Sequence, residues 1–182
     1  MNKWSTKKLL VVIFSIIIGG IILDQVSKIY FESIKAALPI YIFSDVGFVW
    51  AENFGGAWSV FSGKTIFFFI ITLIGLPLFG TLLYFSRKKS VIGIIGFSAA
   101  ISGTIGNGID RLTRGVEFYS GGVRDFLSVG SWFPVFNIAD SLLTCGIACV
   151  ILAMIFFDDD ALIKTHKKLK VEENGQSEND KT

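Results

Sequence analysis

The stretch VIGIIGFSAAISGTIGNGIDR, residues 91–111, decides the fold. From Val91 to Ile109 it carries no ionisable side chain, and about 20 such residues are what a helix needs to cross a bilayer core. It closes on an acid and a base, Asp110 and Arg111. Its small residues, Gly93, Gly96, Ser98, Ser102, Gly103 and Gly106, allow neighbouring helix backbones to approach closely. The stretch is therefore expected to be the packing centre of a bundle inside a membrane.

Apolar runs lie on both sides of it. Thr65–Phe85 precedes it and is closed by Arg87, Lys88 and Lys89, with Pro77 inside; membrane helices tolerate such a proline. Residues 138–157 follow it, with small residues at Ala139, Gly146 and Ala148. The first run, Leu9–Leu23, follows Lys3, Lys7 and Lys8, a pattern shared with signal peptides. It ends in Asp24-Gln25 rather than in small residues, so it reads as an uncleaved span continuing to about Tyr30. A hydrophobic fraction of 52% and a mean hydropathy of +0.62 agree with four spans. The expected fold class is an all-α membrane protein with four transmembrane helices. Residues 1–170 form one domain, and 171–182 a polar, disordered tail. Between the first two spans, Ile40–Phe43, a turn-like Ser44-Asp45 and Gly47–Trp50 predict a small β-element on the outer membrane surface.

Charge sets the direction. Basic residues cluster at 3–8, 87–89 and 164–170, and such clusters mark the cytoplasmic side. Both termini are then cytoplasmic, and the loops at about 31–64 and 111–133 face outward. Arg111, Arg114 and Arg124 lie outside against this pattern, which predicts local partners for them. A net charge of +2 gives no reason to expect nucleic acid. Cys145 and Cys149, four apart in one apolar run, read as small packing residues, and the single histidine, His166, lies in a polar tail. A Ser-His-Asp triad, a Cys-His pair and a zinc site are all disfavoured. No metal or cofactor is expected.

The remaining polar groups gather at the outer ends. Asp24, Asp110, Asp125 and Asp140 fall there, accompanied by Asn53, Asn107 and Asn137. Ionisable groups at such depth are costly unless paired or used. Asn107 and Asp110, and likewise Asn137 and Asp140, are three apart and would share a helix face. Each carboxylate alone has a plainer account. Asp24 can cap its span with Lys28, Asp110 can pair with Arg111, and Asp140 can favour a helix N-terminus through the dipole. Together they suggest carboxylates that share a proton. One stays ionised and takes a proton from water, and the other stays neutral and protonates the scissile group.

At these residues the chain resembles the lipoprotein signal peptidases (signal peptidase II), aspartyl enzymes of the membrane. The stretches that carry the resemblance are Asp24-Gln25-Val26-Ser27-Lys28, Asn53-Phe54-Gly55-Gly56-Ala57-Trp58, Gly106-Asn107-Gly108-Ile109-Asp110-Arg111, Val123-Arg124-Asp125-Phe126 and Phe136-Asn137-Ile138-Ala139-Asp140-Ser141. The resemblance implies that Asp125 and Asp140 are the catalytic pair. It further implies that Asn53, Asn107, Asp110, Arg111 and Asn137 position substrate or aspartates, with Asp24 and Lys28 in support. The implied substrate is a preprotein whose lipobox cysteine carries diacylglycerol, cut just before that cysteine. The implied setting is the bacterial cytoplasmic membrane, with the site at its outer face, membrane lipids as surroundings and a monomer as the working unit. The chain departs from the family pattern at Arg124, where Val is usual, and in a longer 111–125 stretch. A charge beside Asp125 would lower its pKa, which makes Asp140 the expected protonated member. The alternative from another class is a small proton- or cation-coupled membrane transporter.

Overall fold

The computed structural model describes residues 4–54, 65–86, 90–117 and 120–157. The basic stretch 87–89, residues 55–58 of the Asn53 motif, and His166 with the tail lie outside the described residues.

Helix α1, Thr6–Ser33, begins where the Ser5 side chain accepts from the backbone N–H of Lys8, a common N-cap. A hairpin follows, of strands β1, Ile40–Phe43, and β2, Val46–Asn53, with Ser44 turned at φ 48°. Helix α2, Thr65–Ser86, runs through Pro77 without interruption. Helix α3, Val91–Thr113, starts at Ser90, which caps Gly93. Strand β3, Val123–Val129, leads into α4, Ile138–Leu152, which a π-helical turn extends over Ala153–Phe157. All four helices are long and apolar enough to cross a membrane. The chain is a multi-pass membrane protein.

The centre of the bundle is α3, as its small residues predict. It packs on α1, α2 and α4. A Cβ placed on Gly96 would stand 2.6 Å from the carbonyl oxygen of Gly146, and one on Gly146 would stand 2.6 Å from that of Gly96. One on Gly103 would run into the carbonyl oxygen of Ala139. These contacts draw the backbones of α3 and α4 together through van der Waals packing, the main cohesive force between helices in lipid. At the end of the bundle away from the sheet Leu9, Leu83, Ile94, Phe97 and Ile101 form an apolar cluster. Cys149 packs against the Gly96 surface, while Cys145 is exposed.

The hairpin is where the sequence placed it, but the sheet is larger. Strand β3 adds to β2 in antiparallel register, with Val46 opposite Val129, Ala51 opposite Asp125 and Asn53 opposite Val123. The sequence pattern predicts an outer loop here. Its pairing partner is distant along the chain, and two charges interrupt its apolar pattern, so local signals do not reveal it. Phe31 near the end of α1 stacks on Phe48 and Phe126, with ring centroids 4.7 and 4.3 Å apart, and seats the sheet on the bundle. After Gly130, at φ 122°, the chain folds back. Phe136 pairs with Leu127, exchanging backbone hydrogen bonds of 2.8 and 3.0 Å, which delivers the chain to the start of α4.

Candidate active site

Asp140 lies in the first turn of α4, and Asn137 is the N-cap rather than a helical residue. The Asn137 Oδ1 accepts from the backbone N–H of Asp140 at 2.9 Å, and Asp140 Oδ2 accepts from that of Asn137 at 3.2 Å. The expected shared helix face is therefore a capping box. This leaves the Asn137 amide to donate to Asp125 Oδ1 at 2.6 Å and to Asn107 Oδ1 at 3.1 Å. Asn53, at the end of β2, donates to Asp125 Oδ2 at 2.9 Å. Asn107, from α3, donates to Asp140 Oδ1 at 2.7 Å. Asparagine amides thus hold both carboxylates, and Asn137 touches each.

Beneath the pair lies a buried ion cluster. Lys28, Asp24 and Asp110 are all fully buried. The Lys28 Nζ stands 2.9 Å from Asp24 and 3.4 Å from Asp110, and donates to Asn107 Oδ1 at 2.9 Å. Asp24 does more than close its own span. It sits well inside α1, and its Oδ1 accepts from the backbone N–H of Ala139 at 2.9 Å, anchoring the start of α4. Buried charges of this kind are tolerated only when paired and hydrogen-bonded.

Asp110 departs from expectation. Its bidentate cation is Arg124 of β3, at 2.6 Å from Nη2 to Oδ1 and 3.3 Å from Nε to Oδ2, and not its chain neighbour Arg111. Helix geometry explains this, because consecutive residues point to different sides. Arg111 instead lies over the Phe68 ring at 4.5 Å and lines a cleft with Asp140. The arginines at this end do have local partners. Arg114 pairs with Glu32 at 2.8 Å and with Glu52 at 3.2 Å, and Arg124 reaches Glu32 at 3.2 Å. Gln25, Glu32 and Glu52 were not assigned from sequence. The α1 members were findable, since positions 24, 25, 28 and 32 fall on one helical face.

Asp125 is 1% exposed. Burial first, and the negative charge of Asp140 second, push its carboxyl up to about 7. Consecutive residues of a strand face opposite sides, so the Arg124 guanidinium turns away from Asp125 and is held by α1 and α3. A buried carboxyl raised in this way is able to hold a proton near neutrality.

The cleft beside the pair has a volume of about 550 Å³. Asn53, Asn107, Arg111 and Asp140 make its polar side, and Trp132, Phe133, Pro134 and Phe136 an apolar wall. It continues along Ser141, Thr144 and Cys145 of α4. Asp125 lies behind Asn53.

Paired carboxylates at one end of a four-span bundle, beside an apolar-walled cleft, are the equipment of an aspartic-type peptidase of the membrane. Comparison with known proteins makes this specific. Residues 5–156 match the family model of signal peptidase (SPase) II. The chain is 36% identical over 146 residues to a lipoprotein signal peptidase of Latilactobacillus sakei subsp. sakei, spanning 77% of this chain and 92% of the relative. It is 36% identical over 156 residues to that of Enterococcus faecalis, spanning 81% and 90%. A bacterial membrane enzyme solved by the in meso method at 2.3 Å resolution superposes with a TM-score of 0.62 at 32% identity, over 84% of this chain and 90% of that one. The chain belongs to the signal peptidase II family. The transporter alternative gains no support from these relatives, and among the described residues the buried charges gather at one end instead of marking a path across the bundle.

Proposed function

We propose that the protein removes signal peptides from diacylglyceryl-modified prolipoproteins, cutting just before the lipidated cysteine, with Asp125 and Asp140 as its acid–base pair. The observation that carries this reading is Asn137, whose amide binds one carboxylate while its backbone N–H binds the other. Asp140, at the cleft, takes a proton from water as the water oxygen attacks the scissile carbonyl. Asp125 gives its proton to the carbonyl oxygen, producing a gem-diol. Asp140 then protonates the leaving amine, Asp125 recovers a proton from a diol hydroxyl, and the C–N bond breaks. Seating of the peptide draws the Asn53 amide off Asp125 and onto substrate. Arg111 and Asn107 hold substrate and Asp140, Lys28 fixes Asn107, Asp24 anchors α4 and Asp110 orients β3.

The site faces the outer side of the bacterial cytoplasmic membrane, with both termini and residues 87–89 inside, as the basic clusters direct. The cleft descends α4 toward the bilayer interior, which suits a signal helix and acyl chains arriving from lipid. The chain works as a monomer; residues 1–170 are its one domain and 171–182 a polar, disordered cytoplasmic tail. Purified protein is expected to cleave a lipidated preprotein with a chelator present, and to leave the unlipidated preprotein intact. Equal rates on the two substrates would contradict the lipid requirement.

A further inference from the structure

Strand β3 is buried on both faces near its start. Asp125 turns to Asn53 and Asn137 on one side, and Arg124 turns to α1 and α3 on the other. All three nitrogens of the Arg124 fork donate. Nε and Nη2 straddle the Asp110 carboxylate, Nη2 also donates to Gln25 Oε1 at 3.0 Å, and Nη1 reaches Glu32 Oε2 at 3.2 Å. The backbone of the same residue is pinned at both ends. Its N–H donates to Asp110 Oδ2 at 2.9 Å, and its carbonyl accepts from the Asn137 amide at 3.3 Å. The residue preceding Asp125 is thus fixed to three elements, α1, α3 and the cap of α4.

We propose that Arg124 is a positioning residue for the cleavage reaction, its fork holding β3 against α1 and α3 so that Asp125 is presented in register with Asn137 and Asp140. This rests on the acid–base reading of Asp125 above. Planar, bidentate and shared among three acceptors, the contact suits Arg and not the single ammonium of Lys. Its loss leaves no buried carboxylate unpaired, because Asp110 keeps Lys28 at 3.4 Å and Glu32 keeps Arg114 at 2.8 Å. A variant without the fork should therefore still fold, with β3 released by a fraction of an ångström to an ångström. Misplacement on that scale can cost about 10²-fold in rate.

The test compares Arg124→Ala and Arg124→Lys with the parent enzyme on a lipidated preprotein, scoring kcat, KM and the pH profile per folded molecule. Arg124→Ala is expected to lower kcat about 10–10²-fold with KM within about twofold, and Arg124→Lys to fall between it and the parent. The largest charge effects on Asp125 come from Asp140 of α4 and Lys28 of α1. A loosened β3 admits water to Asp125 and moves the alkaline limb of the profile to lower pH, an effect that loss of folded protein alone does not produce. If Arg124→Ala fails to fold, Arg124→Lys carries the test through the same kcat loss and pH shift. Parental kcat and profile in the folded variants, or a loss that vanishes when rates are scaled to folded protein, would overturn the proposal. Asp125→Asn runs alongside. Its inactivity keeps the two questions separate, whereas its activity would overturn the acid–base reading and this inference with it.

Discussion

Helices α2 and α3 are consecutive, similar in length and both apolar enough to span a membrane, yet they are used in opposite ways. Of the most apolar stretch of α3, 61% is buried inside the protein, against 6% for α2. Hydropathy does not explain the difference, since α2 is the more apolar of the two, at 2.1 against 1.4. Side-chain volume does. Lipid is as apolar as leucine, so a large apolar residue gains nothing by leaving it, while Gly, Ala and Ser permit close backbone contact. Accordingly Ile71, Leu73, Ile74 and Leu78 of α2 are exposed, and Gly96, Ala100, Ser102 and Gly103 of α3 are buried. Only helices that approach so closely can bring carboxylates and amides within hydrogen-bond reach. The buried ion cluster accordingly lies where α1, α3 and α4 meet under the sheet, and α2 contributes the Phe68 ring against Arg111.

The contrast predicts a graded series of losses. Asp125→Asn and Asp140→Asn should each lower cleavage by at least about 10²–10⁴-fold while the protein still inserts and binds substrate. Asp110→Asn should retain part of the activity, and its complete inactivity when folded, beside near-normal Asp125→Asn, would move the pair to Asp110 and Asp140. Lys28→Met removes the cation shared by Asp24 and Asp110, and breaking a buried pair costs about 3–5 kcal/mol. Recovery of folded protein in detergent should fall sharply. Gly103→Leu forces α3 off the Ala139 backbone and should cost about 1–3 kcal/mol, read as a lower melting temperature. Ile74→Ala, at a side chain 60% exposed on α2, should change stability by no more than about 0.5 kcal/mol. If Ile74→Ala cost as much as Gly103→Leu, the division of labour between the two helices would be wrong.

The spans, the hairpin and the cluster of Asp24, Asn53, Asn107, Asp110, Asp125, Asn137 and Asp140 were legible because their signals are local: apolar runs, a turn between β-branched residues, and acids or amides at span ends. Strand β3 was not. It owes its conformation to Asn53 opposite Val123 and Ala51 opposite Asp125, pairings that no local pattern encodes. The choice of Arg124 over Arg111 as the partner of Asp110 follows from that strand, and so was hidden with it. The role of Asn137 turned on a single residue of helix boundary. Inside the helix it would share a face with Asp140, whereas one step outside it caps Asp140 and is free to reach Asp125. Spans α1 and α3 also run past their apolar runs, to Ser33 and Thr113, where ion pairs of Glu32 and Asp110, and not apolar residues, hold their last turns.

The central claim is that Asp125 and Asp140 share one proton and that Asp125 holds it. The direct measurement is kcat/KM for a lipidated preprotein between about pH 5 and 9, which reports the ionisations of the free enzyme. Burial and Asp140 raise Asp125 to about 7, so its protonated form prevails below that pH and is lost above it. Cleavage should fall as pH rises through about 7, approaching tenfold per pH unit beyond, and the Arg124 variants should bring that fall to lower pH. A rate constant that stayed flat across the range, with no loss on the alkaline side, would contradict the shared proton.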